Sequence, residues 1–596
     1  MIHRWQWRLL AAATFVSLTS LSLLSPLEGE DREKRADEPS SSIGKRVPDF
    51  KLPDHHGRQV SLGDFQDKKA VVVVFIGTEC PINNAYMPRL VDLDRKFGPR
   101  GVQLLAVNSN QQDTPQRVAD HARKHELTFP VLKDEDNRVA DLFGARRTPE
   151  AFLLDPGQII RYQGRIDDQF GIDFKRPKPT RRDLVDALEE MLAGRTVSQS
   201  TTSVAGCLIA RVSRPKEGGR VTYAHDVAAI LQKNCQECHR PGQIGPFSLL
   251  TYDDAVAWAD TIREVVKDQR MPPWYADPRY GHFANDRRLA GEDRKTLLGW
   301  LDNGLPKGED KDLPPPRKFD SDWTIGKPDL ILTMPEEFAV PAAAPKDGIE
   351  YQFITIKTNF EEDRWVVRAE AKAGAPEVVH HVVMFIVEPG RKFVPKAGNA
   401  PVLCGTAPGD MPLILPPGTA KKIPAGSDLI FQMHYTPNGK AQKDRSSVGI
   451  IFAKEPPQRR VQTWPIHNPG LWIPAGADNY EMEASFKFKE DGDILNFMPH
   501  MHLRGKDFLY EAIYPDGKKE ILLSVPRFNF GWQSAYRLAK PLPMPKGTTI
   551  HCVAHYDNSA KNPNNPDPTQ AVFWGDQTWE EMMIGWMDFY YDRPAR

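Results

Sequence analysis

A five-residue motif at 235–239 constrains this chain more than any other feature of its sequence. It reads Cys-Gln-Glu-Cys-His, the spacing at which two cysteines form thioethers to a c-type haem and the next histidine reaches the iron. A zinc site would need a second Cys or His pair at suitable spacing, and none follows. The sequence therefore predicts a covalent haem c on Cys235 and Cys238, with His239 as an axial ligand.

The second axial ligand should come from a later loop, and Met271 is the candidate. Two prolines and a tryptophan follow it, and prolines stiffen a loop that must hold a thioether against iron. The spacing resembles that of class I cytochromes c, and His/Met ligation favours electron transfer. His225 and His282 are the alternative ligands. Apolar periodicity predicts helices at 227–233 and 293–301, so an all-α cytochrome c domain is expected over 219–310.

Residues 44–212 alternate between apolar runs and amphipathic stretches. The pattern predicts strands at 70–76, 102–107 and 151–154 and helices at 85–97 and 113–125. Strands alternating with helices indicate an α/β sheet. Cys80 stands at a helix N-terminus, where the dipole and free N–H groups stabilise a thiolate. The segment resembles the thioredoxin-like redoxins and thiol peroxidases, and Thr148-Pro149 resembles the cis-proline, here Pro149, that faces their active cysteine.

Asn83 stands where the Cys-x-x-Cys pair of those families would place its second cysteine. The ordinary local dithiol cycle is therefore excluded, and Cys207 is the nearby candidate for a resolving thiol. Two interpretations stay open: catalysis by Cys80 with Cys207, and a docking module that has lost catalysis. A peroxide-reacting single cysteine and a Cu(I) ligand are further options for Cys80.

Residues 1–28 have the pattern of an export signal peptide, with Arg4 and Arg8 ahead of an apolar run at 9–24. No clear Ala-x-Ala site follows, so a cleaved signal and a retained N-terminal anchor both fit, and membrane contact is expected only there. Residues 29–43 are charged and Ser-rich, as in a disordered spacer. Export to the periplasm or cell envelope also suits c-type haem. With 78 basic and 79 acidic residues, the chain shows no charge bias toward a nucleic-acid partner.

After a Pro-rich linker at 311–325, short apolar runs broken by Gly and Pro indicate an all-β region. Strands are expected at 365–368, 378–387, 429–434, 450–452, 494–498 and 550–556. Six possible metal ligands stand out here: His380, His381, His434, His500, His502 and Met582. Imidazoles with a thioether suit copper that cycles between Cu(II) and Cu(I).

In a regular strand, the two histidine pairs would be oriented differently. His500 and His502, one residue apart, would point to the same side of a strand. His380 and His381 are adjacent and would point to opposite sides. They can share one metal only if the backbone kinks, or if they lie at a strand end and use different ring nitrogens.

The order His-His, His-Tyr, His-x-His-Leu-x-Gly and Glu-Met resembles the copper type II, ascorbate-dependent monooxygenases, the family of the dopamine and peptidylglycine enzymes. The resemblance covers about residues 325–596 and implies tandem jelly-roll subdomains at 326–460 and 461–596. It implies an electron-transfer copper on His380, His381 and His434. It implies a catalytic copper on His500, His502 and Met582, with Met583 as the rival sulfur ligand.

Three positions that grip the substrate carboxylate in the peptidylglycine enzymes hold Met498, Ile584 and Trp586 here. These side chains offer no charge and no donor fork for a carboxylate. A small apolar or aromatic substrate is therefore expected, and a peptide is not.

Together these features predict a secreted multi-cofactor oxidoreductase that hydroxylates a C–H bond with O2. Its expected cofactors are two copper ions and one haem c, with ascorbate or another one-electron reductant from an external donor. The fused haem would pass electrons to the copper of His380, His381 and His434, because fusion raises the effective concentration of the donor. Two alternatives are a non-hydroxylating periplasmic electron-transfer or copper-binding protein, and a thiol peroxidase or redoxin centred on Cys80.

Overall fold

The structure, a computed structural model, describes residues 41–595 except 173, 177, 212–219, 320–322, 344, 346–348, 395–400, 407–411 and 439. The signal expected at 1–28 and most of the spacer expected at 29–43 lie outside the described residues. Within the described part, no helix combines the length and the apolar character needed to cross a membrane. The chain divides into two units, Met1–Ser42 and Ile43–Arg596, and the second contains the helices and strands of the described residues.

A five-stranded sheet forms the core of the N-terminal domain. Its central strand, Ala70–Phe75, is completely buried, because Val72 and Val74 pack into one apolar cluster and Val71 and Val73 into another on the opposite face. In sheet order the strands are Val131–Lys133, Val102–Asn108, Ala70–Phe75, Glu150–Leu154 and Ile160–Gly164. The helices are Pro81–Phe97, Pro115–Lys124, Arg138–Phe143 and Asp183–Leu192.

This arrangement confirms the expected thioredoxin-like α/β domain and its predicted strands. The first helix begins at Pro81 rather than at 85, because proline is tolerated in a first helical turn. Short paired strands complete the domain: Lys51–Pro53 with Gln59–Ser61, Phe170–Gly171 with Phe174–Lys175, and Arg147–Thr148 with Cys207–Leu208.

The region from 220 to about 310 is helical and packs around the fully buried Trp300. A π-helical turn, Tyr223–Val227, leads into the helices Ala228–Asn234, Tyr252–Ala257, Ala259–Lys267 and Gly291–Asp302, in agreement with the two predicted helices. Between Trp274 and Asn285 the chain leaves this region. Trp274 enters the apolar core of the C-terminal β unit, so the two regions are packed together.

Two β units follow, which we name the first and the second β unit, and each packs its own apolar core. The strands of the first are Leu330–Thr333, Phe338–Val340, Gln352–Lys357, Arg364–Lys372, Val379–Val387, Val402–Thr406, Leu413–Ile414, Thr419–Ile423, Asp428–Tyr435, Gln442–Asp444, Ser447–Phe452 and Arg459–Arg460. Those of the second are Gln462–His467, Trp472–Ile473, Tyr480–Lys487, Gly492–His500, Gly505–Ile513, Lys519–Val525, Tyr536–Met544, Thr549–Tyr556, Val572–Phe573 and Ile584–Tyr591.

Strand pairing changes partner close to the expected subdomain boundary. Arg459–Arg460 pairs with Thr419–Ile423 of the first unit, whereas Gln462–His467 pairs with Ile584–Tyr591 of the second. Apart from Val378, which precedes its strand, the residues predicted as strands in this region lie within observed strands. The β-rich C-terminal region is thus confirmed.

Candidate redox and metal sites

Cys80 lies at the N-terminus of the helix Pro81–Phe97 and is completely buried. Its Sγ is 3.0 Å from the carbonyl oxygen of Thr148 and accepts a hydrogen bond from the amide of Cys207 at 3.5 Å. The peptide bond between Thr148 and Pro149 is cis. The structure therefore brings together Cys80, Pro149 and Cys207, the three redoxin residues that the sequence singles out.

Cys207 reaches this position through a short strand. Cys207–Leu208 pairs with Arg147–Thr148, and Cys207 lies opposite Thr148. The preceding residue, Gly206, has φ 150°, and a Cβ there would lie 2.0 Å from the Thr148 carbonyl oxygen. Only glycine permits this close backbone approach, so Gly206 is needed for the contact between the two cysteines.

The two thiols perturb each other in opposite directions. Burial disfavours the Cys80 thiolate, but hydrogen bonds from the Cys207 thiol, the Cys207 amide and the Asn83 amide outweigh burial and lower the pKa of Cys80 to about 6. The hydrogen bond to Cys80, together with burial, raises the pKa of Cys207 well above its ordinary value. The pair thus holds a thiolate on Cys80 and a proton on Cys207.

The predicted haem ligand His239 lies in the turn after the helix Ala228–Asn234, where its amide donates to the Cys235 carbonyl at 2.9 Å. Its Nδ1 donates to the Phe247 carbonyl oxygen at 3.1 Å, which leaves Nε2 with a lone pair for a metal. Cys235 and Cys238 belong to the same turn, where the Cys238 amide donates to the Cys235 carbonyl at 3.2 Å. The donor set therefore fits a covalently attached haem.

The candidates for the sixth haem ligand lie in different surroundings. Met271 is half-buried just after the helix Ala259–Lys267. His225 Nδ1 donates a hydrogen bond to the Asp226 carboxylate at 2.9 Å. The carbonyl oxygen of His282 accepts the amide of Ala539 in the second β unit.

The first histidine group, His380, His381 and His434, converges on one point. Nδ1 of His381 lies 3.2 Å from Nδ1 of His380 and 3.4 Å from Nδ1 of His434. One ring nitrogen from each residue lies within 4.8 Å of the others, so the group could hold a metal ion. Burial lowers the pKa of all three rings, to about 4 for His380. Their imidazoles are therefore neutral near pH 7, which is the form that binds metals.

A β-bulge allows the adjacent His380 and His381 to face the same point. In the pairing of Val379–Val387 with Asp428–Tyr435, Val379 lies opposite Tyr435 but His381 lies opposite His434, so His380 is the extra residue. The backbone kink is thus the geometric solution, and all three rings present the same nitrogen, Nδ1. Two aromatic rings border the group: Phe530 stacks on His380 at 5.1 Å between ring centroids, and Tyr351 lies 4.8 Å from His434.

The second histidine group, His500 and His502, is oriented by hydrogen bonds. His500 ends the strand Gly492–His500, and its ring lies 5.2 Å from that of His502. Nδ1 of His500 donates to Gln533 Oε1 at 2.5 Å, and Nδ1 of His502 donates to the Glu580 carbonyl oxygen at 3.2 Å. Both acceptors are oxygens, so each Nε2 keeps its lone pair. Nε2 of His502 is buried and has no hydrogen-bond partner in the described part of the chain.

Met582 and Met583 lie in different environments. Met582 lines the same cavity as the second histidine group, whereas Met583 is fully buried in the apolar core of the second β unit. The buried Glu581 carboxylate accepts the backbone N–H groups of His502, Arg504 and Met582 at 2.8, 2.7 and 3.1 Å, and burial raises the pKa of Glu581 to about 7. Glu581 therefore positions His502 relative to Met582.

Both histidine groups border one cavity of about 980 Å³, lined by residues of both β units. His381 lies on its wall together with His500, His502 and Met582. Met498, Ile584 and Trp586 also line it, so apolar side chains lie beside His500 at the three positions that the sequence singles out.

Sequence analysis missed the residues that orient the candidate ligands. Gln533, Tyr351 and Phe530 lie far from the histidines along the chain, and no spacing links them to a motif. Glu581 had one signal, its place directly before the methionine of the Glu-Met pair.

Comparison with known proteins covers the N-terminal domain. Residues 43–163 match the AhpC/TSA family. The thiol-disulfide oxidoreductase ResA of Bacillus thuringiensis subsp. konkukian is 30% identical over 125 residues, which are 21% of this chain and 70% of that protein. The chain belongs to the AhpC/TSA family of thioredoxin-like redoxins.

Further matches to this redoxin domain have similar extents. ResA of Bacillus subtilis is 30% identical over 125 residues, covering 20% of this chain and 67% of its own length. A solved structure of a hypothetical protein from Sinorhizobium meliloti 1021 is 31% identical and covers 29% of this chain and 97% of its own, with a TM-score of 0.28. The family match and the observed sheets together make the chain a multidomain protein with a redoxin domain ahead of a β-rich region.

Proposed function

We propose that the redoxin domain performs thiol–disulfide redox chemistry with Cys80 and Cys207 as its pair. The observation that carries this proposal is the contact of the Cys207 amide with Cys80 Sγ, between residues 127 apart in sequence, together with the opposite pKa shifts of the two hydrogen-bonded thiols. The similarity to proteins described as thiol-disulfide oxidoreductases supports the same chemistry.

In this mechanism Cys80 acts first because it carries the thiolate. It attacks one sulfur of a disulfide and releases the other sulfur as a thiolate. Cys207 then gives up its proton to that leaving group and attacks Cys80 Sγ, which releases the second thiolate and forms the Cys80–Cys207 disulfide. Two external thiols, or one dithiol, then reduce the Cys80–Cys207 disulfide: they return two electrons and the Cys207 proton and are themselves oxidised to a disulfide. Because Cys80 is fully buried, a small oxidant, including a hydroperoxide, can reach it more easily than a folded protein.

Mild oxidation of the full chain with diamide, followed by peptide mapping without reductant, tests this proposal. We expect a peptide pair linked through Cys80 and Cys207 in the wild type and none in Cys207→Ala. The thiolate absorbance should rise with pH through about 6 in the wild type. It should rise only at higher pH in Cys207→Ala, because a donor to the thiolate is lost while burial remains. Cys552→Ala, at a buried thiol of the second β unit, is the control, and unchanged titration in Cys207→Ala would refute the pairing.

We also propose that the β-rich region is a copper monooxygenase of tandem jelly-roll subdomains. The observation that supports it is the shared cavity, which His381 of the first histidine group lines together with His500 and His502 of the second. His380, His381 and His434 would hold one copper through Nδ1. His500 and His502 would hold the other through Nε2, with Met582 as sulfur ligand. Bound copper would supply the electrons for hydroxylation of a substrate C–H bond by O2.

The remaining groups of this chain would prepare the cavity for that reaction. Gln533 and the Glu580 carbonyl keep the protons of His500 and His502 on Nδ1. Met498 and Trp586 exclude water beside His500. In the helical domain, haem c would be held by Cys235, Cys238, His239 and Met271, as in a cytochrome c. Packing of residues 274–285 on the second β unit keeps the electron donor close, and the exported, cell-envelope location suits both cofactors.

Metal and haem content of periplasmically expressed protein, with His500→Ala beside it, tests this second proposal. We expect two coppers and one haem in the wild type and one copper fewer in the variant. Haem without copper, even after reconstitution, would refute the monooxygenase. Two coppers without oxygen consumption coupled to a hydroxylated product would favour the electron-transfer or copper-binding alternative.

A further inference from the structure

One face of a sheet in the second β unit changes from apolar to polar along the cavity. Asn496, Met498 and His500 alternate along the strand Gly492–His500 and all line the cavity. Their partners on the neighbouring strand, Asp588, Trp586 and Ile584, line it too. The rows beside His500 are apolar, and the row of Asn496 and Asp588 is polar. Four residues of strand separate these ends, a distance of about 13 Å.

Arg537 extends the polar row. It lies opposite Asn496, on the far side of that strand from Asp588. The preceding residue, Tyr536, is buried in the apolar core, so Arg537 faces the opposite way, toward the cavity that it lines. A guanidinium group offers five N–H donors in a planar fork that matches a carboxylate.

The acidic groups near this row leave Arg537 available. Asp576 and Asp588 are the carboxylates among the described lining residues. Asp588 already lies 3.5 Å from Lys421 Nζ and accepts a hydrogen bond from Asn496 at 3.3 Å. Arg537 forms no ion pair within the described part of the chain, whereas Lys421 and Asp588 balance each other's charge.

The helical domain holds the Arg537 backbone in place. The amide of Ala284 donates to the Arg537 carbonyl at 2.8 Å, and the Arg537 amide donates to Asn285 Oδ1 at 3.0 Å. The Asn285 side chain also donates to the Ala535 carbonyl at 2.8 Å. Because Ala284 and Asn285 themselves line the cavity, this end of the cavity is complete only when the helical domain is docked.

We propose that Arg537 binds a carboxylate group of the substrate, whose apolar chain then extends along Met498 and Trp586 toward His500. The proposal rests on the proposed monooxygenase function only in one respect, namely that the end of the substrate near His500 is the end that reacts. It revises the expectation of a wholly apolar substrate. The side chains of Met498, Ile584 and Trp586 cannot bind a carboxylate, but Arg537 on the neighbouring strand can.

Calorimetric binding of octanoate and of its neutral analogue octanamide to the full chain tests the proposal. We expect the wild type to bind octanoate at least about tenfold more tightly than octanamide, the factor that a single charged hydrogen bond can supply. Arg537→Gln should remove that preference and Arg537→Lys should restore part of it. Lys540→Gln, on the same strand but outside the cavity lining, makes the same charge change and should leave binding unchanged.

Each outcome decides the proposal. Equal affinity for the two probes in the wild type, no binding of octanoate, or an unchanged preference in Arg537→Gln would overturn it. Thermal unfolding of Arg537→Gln near the wild-type temperature separates a lost subsite from a lost fold. The measurement needs neither turnover nor bound copper, so failure of the monooxygenase proposal would leave the carboxylate result standing.

Discussion

The two histidine groups of the β-rich region are built in opposite ways. His381 and His434 lie opposite each other on paired strands, and the bulge at His380 brings in the third Nδ1. His500 and His502 come from a strand end and the loop after it, and each ring is turned by an oxygen acceptor from elsewhere in the chain. A site set by strand pairing should tolerate changes in nearby side chains. A site set by outside partners should respond to each of them.

The largest expected effect comes from removing one ligand in each group. His381→Ala and His502→Ala should each lose one of two coppers, because the groups use separate ligands. X-ray absorption of the reduced protein should keep a sulfur neighbour in His381→Ala and lose it in His502→Ala, since Met582 belongs to the second site. Loss of both coppers in either variant would show that the sites are not independent.

Gln533→Ala should weaken the second site without touching the first. His500 would lose the acceptor that keeps its proton on Nδ1, and loss of such a partner typically lowers metal affinity by about 10–100-fold. Competition with a copper chelator measures this change. Gln533→Glu keeps an oxygen acceptor and should stay near the wild type. A loss of copper affinity confined to the first histidine group would contradict the expectation that only the second group depends on outside partners.

Glu581→Gln should destabilise the second β unit by about 1.5–3 kcal/mol, because an amide cannot replace a carboxylate that accepts three buried N–H groups. Chemical denaturation followed by tryptophan fluorescence gives the change in the free energy of unfolding. Glu580→Gln is the matched control, since among the described residues the Glu580 side chain accepts one backbone N–H group, that of Gln577. Equal effects of the two substitutions would argue against Glu581 as a positioning residue.

The smallest effect is expected from Thr578→Val. Thr578 Oγ lies 3.4 Å from His434 Nε2, a long contact on the side of the ring that faces away from the other two histidines. Copper affinity at the first group should change by less than about 0.5 kcal/mol, as measured by the same chelator competition. A tenfold loss would mean that the first group also depends on outside partners.

Local sequence patterns predicted much of the fold. The apolar run at 70–76 and the alternating runs of the β region became strands, because periodicity records which side of an element is buried. The helix that begins at Pro81 was placed four residues too late, since its first turn contains a proline and two asparagines, which interrupt the helical apolar pattern. The assignment of copper and haem to these positions stays a prediction.

By itself the sequence determined which ligand types stand at haem-like and copper-like spacings, because spacing within one turn or strand is local geometry. Only the tertiary structure decided that Cys207 meets Cys80, that Met582 rather than Met583 faces the cavity, and that Arg537 lies in the polar row. These positions depend on which distant strands pair and in what register. A shift of one residue, such as the bulge at His380, turns a side chain from one face of a sheet to the other.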